Sequence, residues 1–150
     1  MNRVFNTKFE VSVRVVLLLD IAKELLSLDQ LYVIDFVATY EKPFGLSKTS
    51  IQGENSYMFS EVTSRRQLVD SATRSLVLQG KVIPTASENG ISYSLSDRGR
   101  EYVSLLTSAY ASKYRDSAGR AFNYIADVGL EATIAKISEL ASMPLGKATR

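Results

Sequence analysis

The sequence predicts a mainly α-helical chain with a small β-hairpin, arranged as a winged helix-turn-helix with a C-terminal helical extension. Residues 63–102 read as helix, hairpin and return into a helix, which is the order of a winged helix. Asn89-Gly90 falls between two β-rich runs and gives a strong short-range hairpin signal. Apolar residues recur at helical spacing on both sides of this unit. One stretch breaks the pattern. Residues 41–62 stand where a helix-turn-helix has a turn of about 3–4 residues. A motif opened in this way suits a grip on another protein better than a compact reader of the major groove.

The first helix is expected over Lys8–Leu26, with Phe9, Val13, Val16, Leu17, Ile21 and Leu25 on one stripe. Val15, Leu18, Leu19 and Ala22 fill much of the remaining circumference, so this helix needs cover on more than one side. Arg14 is a lone cation inside that run and needs a carboxylate. Ser27-Leu28-Asp29-Gln30 reads as a capping box, with Leu26 and Leu31 at the staple positions. A second helix follows over Leu28–Tyr40, burying Leu31, Ile34, Val37 and Ala38. Asp35 shares a turn with Leu31 and Ala38 and is the nearest candidate partner for Arg14.

Pro43, Gly45 and Gly53 interrupt Glu41–Val62, yet the stretch carries Phe44, Leu46, Ile51, Tyr57, Met58 and Phe59. Those side chains either fold back over the core or form a docking surface, since aromatics and Met are enriched at interfaces. A third helix is expected over Thr63–Gln79, with Leu68, Val69, Ala72, Leu76 and Val77 inward and Gly80 as its left-handed cap. Strands Val82–Ser87 and Ile91–Leu95 join across Glu88-Asn89-Gly90, in a turn whose two central residues take positive φ. Pro84 lacks an amide donor, which makes its strand an edge. Ser96 caps a long helix from Asp97, whose stripe runs Tyr102, Leu105, Leu106, Ala109, Tyr110 and Lys113, with a weak point at Gly119. Phe122, Tyr124, Ile125 and Val128 extend it or begin a new segment. After Gly129, Leu130, Ile134, Ile137, Leu140 and Ala141 form a final amphipathic helix that ends at Met143-Pro144-Leu145-Gly146.

At 150 residues the chain divides into a winged-helix domain, 1–102, with the inserted loop 41–62, and a helical extension, 103–150. Met1–Thr7 has no basic segment leading into an apolar one, so no leader is expected. Val11–Leu19 is interrupted by Ser12 and Arg14 and closed by Asp20, too short a run to cross a bilayer. The chain reads as cytoplasmic, with no membrane contact.

Zero cysteine removes disulfides, thiolate metal sites and thiol nucleophiles. Zero histidine removes the commonest general base and zinc ligand. No G-x-x-x-x-G-K-[ST] loop is present, and Glu54, Glu61, Asp70 and Glu88 are dispersed as solvated side chains. The expectation is a protein that is not an enzyme, with no cofactor, no metal site and no small-molecule ligand. A net charge of +2, with Lys and Arg alternating with acids, describes an ordinary solvated surface. Arg65-Arg66, with Arg74 and Lys81, lie on or beside the helix that would read DNA, and are the candidate DNA contacts. Against that role, Arg66 and Asp70 stand at i, i+4 and can satisfy each other. The hairpin tip Ser87-Glu88-Asn89-Gly90 also carries an acid and no cation.

The segments Phe5–Val15, Asp35–Tyr40, Asn55–Glu61 with Arg65-Arg66, and Tyr110-Ala111 with Tyr114-Arg115 carry a likeness to a known family. Together they resemble the small middle component of three-component systems built around an ABC ATPase, including the small subunit of Lamassu-type antiphage complexes. The resemblance runs from Phe5 to about Arg120. It implies a winged-helix accessory subunit without catalysis, seated on an SMC-like or Rad50-like ATPase beside an effector, commonly a nuclease. Arg14, Tyr57, Phe59, Arg65 and Arg66 fall on the matching segments. With Phe44 and Met58 they are the candidate partner contacts, and any DNA contact would come through the complex. The rival reading is a winged-helix transcription regulator that binds DNA as a dimer.

Overall fold

The computed structural model describes the backbone of residues 7–51 and 58–142, and the side chains of all of these except 58–60. The elements run α1 (Lys8–Ala22), β1 (Leu26–Ser27), α2 (Leu28–Thr39), a 3-10 turn at Lys42–Phe44, and α3 (Met58–Leu78). They continue with β2 (Val82–Ser87), β3 (Gly90–Leu95), α4 (Asp97–Ser104), α5 (Ala109–Val128) and α6 (Leu130–Ala141). The result is mostly helical with a small antiparallel sheet. Its order, β1-β3-β2, is compatible with a winged helix.

Thr7 starts α1 by accepting the Glu10 amide at 3.1 Å. The helix stops at Ala22, short of the expected Leu26, because Lys23 turns left-handed (φ 54) and returns its amide to the Leu19 carbonyl. Leu26 and Ser27 are thereby released to pair with Tyr93 and Ser92, adding a third strand that periodicity did not predict. Phe9 and Leu25, expected on the inward stripe, are 68% and 47% exposed. Val15 to Leu19 are all buried, so α1 is covered all round by its own fold, against α3, α5, α2, α4 and β3.

The capping box at the start of α2 forms as expected: the Ser27 hydroxyl accepts the Gln30 amide at 3.1 Å and the Gln30 side chain accepts the Ser27 amide at 2.9 Å. Every residue from Leu31 to Thr39 is buried. In place of a loop to Val62, α3 begins at Met58, so its first turn takes up the end of the expected insertion. Residues 52–57, Tyr57 among them, lie outside the described part.

The hairpin corrects one expectation. Glu88 and Asn89 keep negative φ, and the positive value falls at Gly90 (φ 110). A Cβ makes left-handed φ costly by roughly 1–2 kcal/mol, so glycine takes that conformation. Pro84 sits on the edge strand β2, as its missing donor requires. Ser96 caps α4 through the Gly99 amide. The helix expected to run on from Asp97 is interrupted after Ser104 and restarts at Ala109, capped by Ser108. Leu105, placed on the inward stripe by spacing, is 74% exposed at that break. Gly119, the expected weak point, lies inside an unbroken α5, which Gly129 ends.

The expected boundary near 102 does not divide the core. Ala111, Tyr114, Ala118 and Ala121 of α5 and Ile137 and Leu140 of α6 belong to the same buried cluster as α1 and α2. α5 packs on α2 and α1, and α6 on α3. Full burial of each large aliphatic side chain contributes roughly 1.5–3 kcal/mol. Among the described residues no helix is long and apolar enough to cross a membrane.

Candidate functional site

Four helices bring polar side chains to one layer in the middle of the core. Arg14 projects from the buried run of α1, and its fork spans both oxygens of Asp35 on α2: Nε to Oδ1 at 2.8 Å and Nη2 to Oδ2 at 3.2 Å. From α3, Arg65 Nη1 donates to Asp35 Oδ2 at 2.9 Å and to the Thr39 hydroxyl at 3.0 Å. The Tyr114 hydroxyl on α5 donates to Asp35 Oδ1 at 2.6 Å. Helical spacing supplies the rest of the layer. Thr39 lies one turn beyond Asp35. Glu61, one turn before Arg65, accepts from its Nη2 at 2.8 Å. Tyr110, one turn before Tyr114, accepts from Arg14 Nη1 at 3.3 Å.

Arg14, Arg65 and Tyr114 are fully buried and Asp35 is 1% exposed. Two guanidinium charges face the Asp35 and Glu61 carboxylates, so the layer balances. Burial alone would raise the Asp35 pKa, but Arg14 and Arg65 outweigh it and hold the carboxyl below its ordinary value. Burial, and then the charge of Asp35, push the Tyr114 phenol well above its ordinary range. Burial, and then Glu61, push Tyr40 up to about 12. The Arg65 guanidinium also lies 5.6 Å from the ring centres of both Phe36 and Tyr40, giving the cation a second, aromatic neighbourhood.

A second buried carboxylate ties the start of the α2–α3 connection to α5. Glu41, 2% exposed, accepts from Arg120 Nε at 2.6 Å and Nη2 at 3.1 Å, and from the Ser117 hydroxyl at 3.0 Å. Three residues on, Phe44 packs edge-on against Tyr124 at 5.5 Å between centroids.

These placements redistribute the candidate residues. Arg14 and Arg65 are inside the fold, where neither a partner surface nor a phosphate meets them. Phe44 is 7% exposed and caps the core. Met58 and Phe59 open α3, with side chains outside the described part, and Tyr57 lies outside it altogether. Arg66 is exposed but pairs with Asp29 at 2.7 Å, not with Asp70 as its spacing suggested. Asp70 instead pairs with Arg74 at 3.1 Å. The Lys81 ammonium stands 3.9 Å above the Tyr102 ring and donates to Gln79 Oε1 at 2.9 Å. The outward stripe of α3 is therefore close to neutral.

The sequence reading joined Arg14 to Asp35 and missed Tyr114, Thr39, Glu41, Ser117 and Arg120. The i, i+4 pair Tyr110/Tyr114 was the available signal for the hub. Nothing local marked Glu41 and Arg120, which meet across 79 positions. Among the described residues no group of His, Cys, Asp or Glu could hold a metal ion. The arrangement can fix four helices against one another at a single point.

Comparison with family models matches residues 4–143 to the ABC-three component (ABC-3C) system Middle Component 2, MC2. No curated protein matches the chain, and no solved structure does.

Proposed function

The chain belongs to the Middle Component 2 family of ABC-three component systems, and from that premise we propose that it is a non-catalytic scaffold subunit. In this reading it binds an SMC-like or Rad50-like ABC ATPase and couples it to an effector, a nuclease, in antiphage or anti-plasmid defence inside the cell. Its regulatory work is differential binding: it shifts the effector only by contacting the resting and activated ATPase unequally.

The observation that carries the reading is the fate of the reactive side chains. Arg14, Asp35, Arg65 and Tyr114 would suit acid, base or anion chemistry. All are at most 1% exposed and bonded to one another, out of reach of a substrate. The test is co-expression with the neighbouring ATPase and effector genes, with the tag on this chain. Recovery of both partners in fixed ratio is the expected result. Recovery of the chain alone, as a dimer that retards DNA in a sequence-dependent way, would move the assignment to a winged-helix regulator.

A further inference from the structure

At the C-terminal end of α1 the surface opens into a cleft of about 430 Å³. Buried Leu19 and Leu95 floor it, half-exposed Leu25 shoulders it, and Asp20, Glu24 and Ser94 complete the lining. Ser94 pairs with Ile83 across the hairpin. Cross-strand partners share a face, so Ile83, 47% exposed, continues the apolar surface along the sheet. Leu25 and Ile83 thus leave two large aliphatic side chains half in water on one side of the molecule.

The charge around this cleft is one-sided. Among the described residues Asp20 and Glu24 enter no ion pair. Arg100, also in the lining, is committed to Asp97 and to the Leu95 carbonyl. Lys23 therefore faces two carboxylates together with the carbonyl end of α1, whose last turn holds no basic residue. A polyanion is disfavoured here, and an apolar segment flanked by cations is favoured on both counts.

We propose that this cleft is a docking site for an amphipathic helix of the ABC ATPase that presents Leu or Ile side chains flanked by Lys or Arg. The inference rests on the ATPase partnership proposed above and adds the surface and the chemistry of its occupant. The aliphatic side chains cover Leu25 and Ile83, and the basic ones pair with Asp20 and Glu24.

The test is biolayer interferometry of the full chain against the purified ATPase subunit, at about 50 and about 300 mM salt. Asp20→Lys/Glu24→Lys and Leu25→Asp are compared with Asp70→Lys on the outward stripe of α3. Both cleft variants are expected to bind about tenfold more weakly or worse, with Asp70→Lys unchanged and wild-type affinity falling as salt rises. The isosteric pair Asp20→Asn/Glu24→Gln gives an intermediate loss and stands in if the charge reversal disturbs folding, as read by circular dichroism. Wild-type affinity in all cleft variants would overturn the docking site and leave the ATPase partnership standing. No binding by the wild type would overturn both.

Discussion

Asp35 holds four helices together because it is the shared acceptor of Arg14, Arg65 and Tyr114. Truncating it leaves two buried cations without their counter-charge, a loss of about 3–5 kcal/mol. Asp35→Ala is thus expected to unfold at far lower urea than wild type, and Tyr114→Phe to lose only about 0.5–1.5 kcal/mol. Equal losses in the two would deny Asp35 its central place. The pH dependence follows from the same contacts. The folded pKa of Asp35 is depressed, so its stabilisation is complete above the unfolded value near 3.9 and is lost as pH falls through the folded one. The folded pKa of Tyr114 is raised, so its contribution is complete below about 10 and fades as pH climbs through the folded value. Urea midpoints of wild type should hold from about pH 5 to about pH 9 and drop on either side. A flat acid limb in wild type would contradict the depressed carboxyl. The Arg14–Asp35 half of this hub was legible, because a lone cation in an apolar helix requires a buried acid. The remainder was not. Arg65 and Tyr114 sit in segments whose charge or polarity looks ordinary until the helices pack.

Element boundaries turn on single backbone positions. Lys23 adopts φ 54, a conformation that costs a residue bearing a Cβ roughly 1–2 kcal/mol, part of which glycine's greater chain entropy would offset. Lys23→Gly should therefore stabilise the protein by about 0.5–1 kcal/mol, seen as a higher urea midpoint. A lower midpoint would mean that the lysine side chain matters more than its backbone strain. Gly99 shows the opposite constraint. A Cβ there would come within 2.1 Å of the Lys81 carbonyl oxygen. Gly99→Ala should push α4 off the sheet and cost at least about 1–3 kcal/mol. A thermal midpoint equal to wild type would show that α4 shifts freely. Capping signals were legible for the same local reason: Ser27 with Gln30, and Ser96 with Gly99, need only neighbours in sequence. The end of α1 and the break at Leu105–Ser108 were hidden, because apolar spacing continues through both. The two-residue β1 exists only because β3 offers it a partner.

At the scale of the molecule, the core admits no division between residues before and after 102, since α5 and α6 complete it. Mutations in α5 should thus destabilise the whole chain in one transition. The surface left over is nearly neutral along α3, where Arg66 and Arg74 each face an aspartate, and uncharged along the hairpin except for Glu88. That surface suits protein contact better than phosphate contact. Family membership places the chain in an ABC-three component system, and the central claim is that it works there as a scaffold. The most direct measurement is mass photometry of the tagged chain purified after co-expression with the adjacent ATPase and effector genes. The account predicts one dominant species containing all three proteins in fixed ratio, and its loss when Asp35→Ala unfolds the subunit. A free monomer or homodimer of this chain, beside an ATPase–effector complex that assembles without it, would contradict the claim.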